Sequence, residues 1–477
     1  MSMAEQSLWT IDELLAATGG KLIGDVIQTL TGVEIDSRAV SNGDIFIAIK
    51  GDNQDGHSYV SKALKAGAGI AVVSQFDDEM SRAGPLLVVG DTLEAMEKIG
   101  LASRARSNAK IIAVTGSVGK TTTKDALGVA LDTSGKTHIS LASFNNHWGV
   151  PLTLARMPRD TKYGVFEVGM NHAGEISTLV AMVRPHIAII TAIAESHLGH
   201  FTSVEAIADA KAEIFEGIEA GGAAIINRDS QFFDRLKQQA NDLGILNVIG
   251  FGHDDRAEIH LKKSALHNTC SCVTADVLGD VVTFKLGSPG EHVVMNTLAV
   301  LGAVKMVGAD LALAALSLSK LQPPKGRGVR IQLQTIDGPF LVIDESYNAN
   351  PVSMRAALAL LARAEPKGRG RRVAVMGDML ELGENGPAMH KGLGEAIEDA
   401  QVDSVYACGP MMKTMFDALP SYRRAAWFET SRELENQLLD EVRSGDVMMV
   451  KGSLGSKMGP LVVALQNKFK SVDVASA

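Results

Sequence analysis

An α/β fold in three domains is what the sequence predicts, on three observations. At 477 residues the chain exceeds what one core serves, and roughly 150 residues per domain gives about three domains. Short β-branched runs alternate with helical stretches along the whole chain, the pattern of parallel sheets covered by crossover helices. One run, Lys110 to Thr115, opens into a glycine-bounded turn and then a helix, as phosphate-binding units of parallel sheets do.

In order, residues 1–106 carry strands at Asp44 to Ile49, Ile70 to Val73 and Leu86 to Val89, with a helix at Tyr59 to Ala66, and form a small N-terminal α/β domain. A polar, basic stretch from Arg104 to Lys110 ends it. Residues 107–328 form a larger central P-loop domain with strands at Tyr163 to Val168 and His186 to Ile193 and a helix at Ser203 to Ile218. Glu258 to Leu286 reads as a β-ribbon inserted into its parallel sheet, and Pro323 to Gly326 as the linker that closes it. Residues 329–477 alternate again, with strands near Phe340 to Ile343, Arg372 to Met376, Ser404 to Ala407 and Asp446 to Val450, a Rossmann-like C-terminal domain. Both junctions, near 106 and 328, are expected to carry few contacts and let the domains move.

Composition excludes several classes. Hydrophobic residues make up 46 %, enough for full cores, and the net charge of −9 with no dense basic stripe speaks against nucleic acid as a partner. Cys270, Cys272 and Cys408 make neither a disulfide framework nor a zinc set, which fits a reducing compartment. The N-terminal stretch lacks the basic and apolar regions of an export signal, and no run is long and apolar enough to span a membrane. The expectation is a cytoplasmic protein, acting as a monomer.

The loop Gly116, Ser117, Val118, Gly119, Lys120, Thr121, Thr122 carries the clearest chemistry. Its backbone N–H groups can converge on phosphate oxygens, the helix that follows adds its positive end, Lys120 neutralises charge and the Thr121 hydroxyl can ligate Mg²⁺. Val114 stands where the usual motif has its first Gly, so the loop is the compact T-G-x-x-G-K-T variety, and it binds ATP or GTP. Glu167 ends an apolar strand, where an ionised carboxylate needs a cation or an ion-pair partner. His197 follows another strand, although a lone His near a turn more often caps or faces solvent. Lys211 falls in the apolar stripe Val204, Ile207, Ala208, Ile214, Phe215, Ile218. It either snorkels to water or is desolvated, in which case its neutral amine can add CO₂ to become an anionic carbamate.

Together the segments TGSVGKTTTK (115–124), SFNNHWGVPLTL (143–154), FEVGMNHAGEI (166–176), AESHLGHF (194–201) and ADAKAEIF (208–215) resemble the Mur ligases of peptidoglycan synthesis. DESYNANPVSM (344–354) and GDMLELGE (377–384) resemble the branch that adds D-alanyl-D-alanine to UDP-N-acetylmuramoyl-tripeptide. The resemblance implies phosphorylation of the tripeptide carboxylate by ATP, then attack by the dipeptide amine. It implies that Lys120 binds the β/γ-phosphates and that Thr121 and Glu167 hold one Mg²⁺, while His197 and carbamylated Lys211 position a second. It places Arg327, Asp344, Glu345, Asn348 and Asn296 at the nucleotide. Asp36, Ser37, Arg38, Asp55, Gly56 and His57 would hold the UDP-sugar, with Asn145 and Asn146 on the substrate side.

Three positions depart from that pattern: Val293 replaces the Asn of H-N-x-x-N, Glu345 replaces the second Asp of D-D-S-Y-N, and Leu454 replaces the Arg of K-G-S-R. Other amide ligases of the superfamily, diaminopimelate-adding or folylpolyglutamate-forming, share the phosphate loop. A nucleotide-switched GTPase shares only that loop, and no N-K-x-D-like guanine reader follows.

Overall fold

A computed structural model describes residues 7–26, 29–51, 54–141, 143–195 and 198–472. Three sheets succeed one another along the chain. The first has five strands in the order Lys21–Ile23, Leu86–Val88, Ile70–Val73, Asp44–Ile47, Gly32–Glu34. Only its first pair is antiparallel. The predicted helix begins later, at Val60–Lys65, because Asp55 accepts from the His57 N–H and tightens Gly56–Tyr59 into a 3₁₀ turn.

The central sheet has nine strands. Lys110–Thr115 lies between Tyr163–Glu167 and Ile187–Ile190, parallel to both. Successive strands leave to opposite sides of it, so the loops after these strands open a crevice at their carboxyl ends. The ribbon forms as Ile259–Leu266, Ser271–Val277 and Asp280–Leu286, and it is joined to the sheet through a parallel pairing with Asn247–Gly252. Buried Ile112, Val114, Ile187 and Ile189 pack on one face against the helices Lys120–Leu131 and Glu291–Met306.

The helix expected over Ser203 to Ile218 stops at Ala212 and continues as a 3₁₀ turn, Glu213–Gly217. The Glu213 carboxylate accepts from Gly174 N (2.7 Å) and Ser177 N (3.2 Å), at the start of the neighbouring helix Glu175–Val183. A cap for one helix thus coincides with the tightening of the other.

The third sheet runs Arg424–Phe428, Ser404–Cys408, Arg372–Gly377, Val447–Lys451, Gly338–Glu345, Val329–Thr335, Lys470–Ser471. Its first five strands are parallel, and the carboxyl ends of Gly338–Glu345 and Val447–Lys451 lie side by side.

The junction near 106 departs from expectation, because it is packed rather than sparse. Leu152 and Ala155 of the central helix Gly149–Ala155 share a core with Leu14, Val33, Ile45 and Ile99. Trp9 Nε1 donates to Ala155 O at 2.9 Å, and Arg106 lies over the Trp9 ring at 3.7 Å. Across the other junction Gly199 N donates to Glu381 O at 2.9 Å, and the facing surfaces leave cavities between them.

Candidate active site

The phosphate loop is held open by glycine and clamped by the next strand's exit. Gly116 and Gly119 have φ of +151° and +89°; a Cβ on Gly116 would lie 1.9 Å from Thr191 Oγ1, and one on Gly119 2.3 Å from Asn296 Nδ2. Neither position admits a larger residue without displacing the neighbour that shapes the loop. Thr191 Oγ1 donates to Val118 O (2.6 Å), Ser117 N to Ala192 O (2.7 Å) and Ser117 Oγ to Ala194 O (3.0 Å). Lys120 begins the helix and donates to Gly116 O at 2.6 Å. Burial lowers its pKa, Glu167 opposes that, and Arg327 lowers it further.

Two of the cavities that reach this loop meet at it. One, of about 310 Å³, is lined by Ser117 to Thr122, Asn296, Arg327, Glu345 and Asn348, together with His292, Asn350 and Lys451. The other, of about 370 Å³, is lined by Asn145, Asn146, Glu167, Glu175, Leu380 and Leu454 among others. Ser117, Lys120, Arg327, Asn348 and Asn350 belong to both. A group held in one cavity therefore meets a group held in the other beside Lys120.

Glu167 is 1 % exposed and accepts from Asn145 Nδ2 at 2.7 Å, while its other oxygen, Oε2, is buried without a hydrogen-bond partner. A buried orphan carboxylate oxygen in a polar cavity is what a cation would satisfy. Among the described residues no three His, Cys, Asp or Glu cluster as a metal cage. Mg²⁺ commonly binds through one or two carboxylates plus substrate phosphates, so Glu167 and the nearby Thr121 hydroxyl fit it without such a cage. Thr121 Oγ1 lies 3.4 Å from Ser143 Oγ.

Lys211 is 1 % exposed, so it does not snorkel. Burial holds its pKa well below the ordinary lysine value, Lys120 lowers it further, and Glu213 opposes both. His197 lies outside the described residues.

Asp344 does not line the 310 Å³ cavity: its Oδ1 accepts from Ser346 N and Oγ (3.1 and 2.6 Å), and it lines a third cavity, of about 970 Å³, that shares Thr121 and Arg327 with the first. Asn146 accepts from Gly149 N at 2.9 Å at the start of its helix. The residues of the first domain stand apart from both cavities. Arg38 is exposed and pairs with Asp36 at 2.6 Å, with Ser37 between them in sequence. His57 Nε2 accepts from Ser74 N (3.0 Å), which leaves the Nδ1 proton to bond Asp55 Oδ1 (2.6 Å), next to Gly56. His292, Asn350 and Lys451 are site residues that motif reading left without a role.

Family models and known relatives match most of the chain. Residues 29–105 match the Mur ligase family catalytic domain, 114–304 the Mur ligase middle domain and 329–454 the Mur ligase glutamate ligase domain. The UDP-N-acetylmuramoyl-tripeptide–D-alanyl-D-alanine ligase of Rickettsia prowazekii is 34 % identical, over 95 % of this chain and 99 % of its own. That of Escherichia coli is 34 % identical, over 96 % and 98 %. A crystal structure of MurF from Acinetobacter baumannii superposes with a TM-score of 0.82 at 30 % identity, covering 96 % of this chain and 99 % of that one. On these matches and this site, the chain belongs to the Mur ligase family.

Proposed function

We propose that this protein joins D-alanyl-D-alanine to the terminal carboxylate of UDP-N-acetylmuramoyl-tripeptide with conversion of ATP to ADP and phosphate, in peptidoglycan precursor synthesis. The observation that carries the reading is the pair of cavities meeting at Lys120 and Arg327. The two relatives named above are ligases of this kind, and the structure named above is of a MurF.

The chain's own groups can support two displacements in sequence. A tripeptide carboxylate oxygen attacks the γ-phosphorus and ADP leaves; the dipeptide nitrogen then attacks the acyl carbon, phosphate leaves and the nitrogen loses its proton. Neither step needs a covalent bond to the protein. Lys120, Arg327 and the loop N–H groups offset charge on the transferring phosphoryl group. Glu167, with Thr121, would hold Mg²⁺, which when bound neutralises phosphate charge. Glu345, Asn348 and Asn296, which line the first cavity, stand at the nucleotide.

In this reading Lys211 is carbamylated: its neutral amine adds CO₂, releases one proton and becomes an anion able to hold a second Mg²⁺ together with His197. Depression of its pKa by burial supports this, because more neutral amine is present at a given pH. The UDP-sugar lies on the first domain, at Asp36 to Arg38 and Asp55 to His57. The protein acts as a monomer in the cytoplasm in this reading, and its free cysteines suit a reducing compartment. Among the described residues no helix is long and apolar enough to cross a membrane.

The test is amide formation from a panel of UDP-peptides and amino components with ATP or GTP. The expected outcome is a product only with ATP, a UDP-tripeptide and D-alanyl-D-alanine. Preference for diaminopimelate or glutamate as the amino component would overturn the assignment in favour of a sister ligase.

A further inference from the structure

In the third sheet the parallel pairing of Gly338–Glu345 with Val447–Lys451 puts Glu345 in register with Lys451. Residues in register project to the same face, so the pairing brings a carboxylate and an ammonium together at the sheet's carboxyl edge. Lys451 Nζ lies 3.3 Å from Glu345 Oε2 and donates to Asn348 O at 3.0 Å. Lys451 is 2 % exposed and lines the nucleotide-sized cavity. An ammonium carries three N–H donors, and these two contacts occupy two of them.

The charges lining that cavity are Lys120, Arg327 and Lys451 against Glu345 alone. His292, also on its wall, has its pKa lowered by burial, with Glu345 opposing, and adds no compensating anion. Three cations facing one carboxylate make a site for a polyanion. A lone buried ammonium would be costly, and Glu345 offsets that cost while the cavity holds no anion.

We propose that Lys451 is a polyphosphate ligand delivered by the third domain, and that Glu345 is the positioning residue that holds its ammonium until the phosphates of the nucleotide take over as its partner. This rests on the cavity being the nucleotide site. Lysine at this strand end joins the first-bound cations of the loop only when the third sheet is docked, so nucleotide affinity and domain docking are coupled through it.

Calorimetric titration of the full chain with Mg-ATP and with adenosine tests this. Lys451→Met is expected to weaken ATP about tenfold or more, the loss of one charge-assisted contact, and to leave adenosine within about twofold. Glu345→Gln, which removes the carboxylate that competes for the ammonium, is expected to bind ATP a few-fold more tightly. Unchanged ATP affinity in Lys451→Met would sink the proposal. So would equal weakening of ATP by both variants, or parallel loss of ATP and adenosine, since either makes the pair a structural strut. If the wild-type chain bound no ATP, or Lys120→Ala bound it normally, the nucleotide reading itself would fall instead.

Discussion

Between the first and central sheets, Leu152 and Ala155 are buried in a shared core with Val33, Ile45 and Ile99, and Trp9 and Arg106 seal its edge. Between the central and third sheets, the same chain leaves cavities of about 310, 370 and 970 Å³ and spans them with loops. The first joint resembles the interior of one domain, and the second an open active-site cleft. The difference separates two tasks. In the proposed function, a packed first joint would hold a bulky substrate at a set distance from Lys120, whereas the second joint would admit nucleotide and then exclude water. Burial of apolar surface makes one joint permanent; the other is left for ligands to complete.

The largest expected effect concerns the open joint. Lys120→Ala should lower amide formation by about 10³-fold or more, through loss of a preorganised cation at the transferring phosphoryl group. Affinity for the UDP-tripeptide, measured directly, should change by less than about threefold; a collapse of that affinity in a folded variant would erase the division between joints.

Lys211→Ala should lose most activity, with partial recovery in formate or acetate, because a small carboxylate can occupy the vacated anionic site. Lys211→Arg should show no recovery, since a fixed cation fills the same space. Activity of the wild-type chain should rise with bicarbonate and with pH, as the neutral amine needed for carbamate becomes more abundant. Full activity of either variant would return Lys211 to a purely structural role.

At the packed joint, Trp9→Ala should cost about 3–5 kcal/mol in denaturant unfolding by opening a cavity where the ring is 1 % exposed. Solution scattering should then report more independent motion of the first domain than in the wild-type chain. Loss of stability without such motion would show that the core, not the joint, depends on Trp9.

The smallest effect is expected at Glu13, which pairs with Arg106 (3.4 Å) and Arg159 across that joint. Partial burial raises its pKa, but hydrogen bonds from Arg159 and Thr10 outweigh this and hold it at about 2. A depressed carboxylate pKa means the folded state binds fewer protons, so the contribution is present above about 4.5 and is lost as pH falls toward 2. Because the pair is partly exposed, Glu13→Gln should cost under about 1 kcal/mol at neutral pH. A larger loss would mean that ion pairing, not apolar burial, fixes the joint.

The legible part of the site was its local part. The phosphate loop is contiguous in sequence and needs glycine where the backbone is left-handed, so Gly116 to Thr122 stood out before any fold was known. Glu167 and Lys211 were visible because a charged residue in an apolar periodic run violates its neighbours' burial. Lys451 breaks the run Val447 to Val450 in the same way, so the rule that singled out Glu167 applies to it as well. The packed first joint was not legible, because Leu152 and Ala155 look like any buried helix face until the partner surface is known.

By itself the sequence determined three α/β units in succession, a loop of phosphate-binding pattern, and the charges set in apolar runs, because each follows from periodicity or backbone stereochemistry within a few residues. Tertiary structure alone decided that Asp344 turns to Ser346 while Glu345 turns to Lys451, 106 positions along the chain. It also decided that one joint is packed and the other open. Strand register and shape complementarity between distant segments set those outcomes, and neither is encoded in any single window of residues.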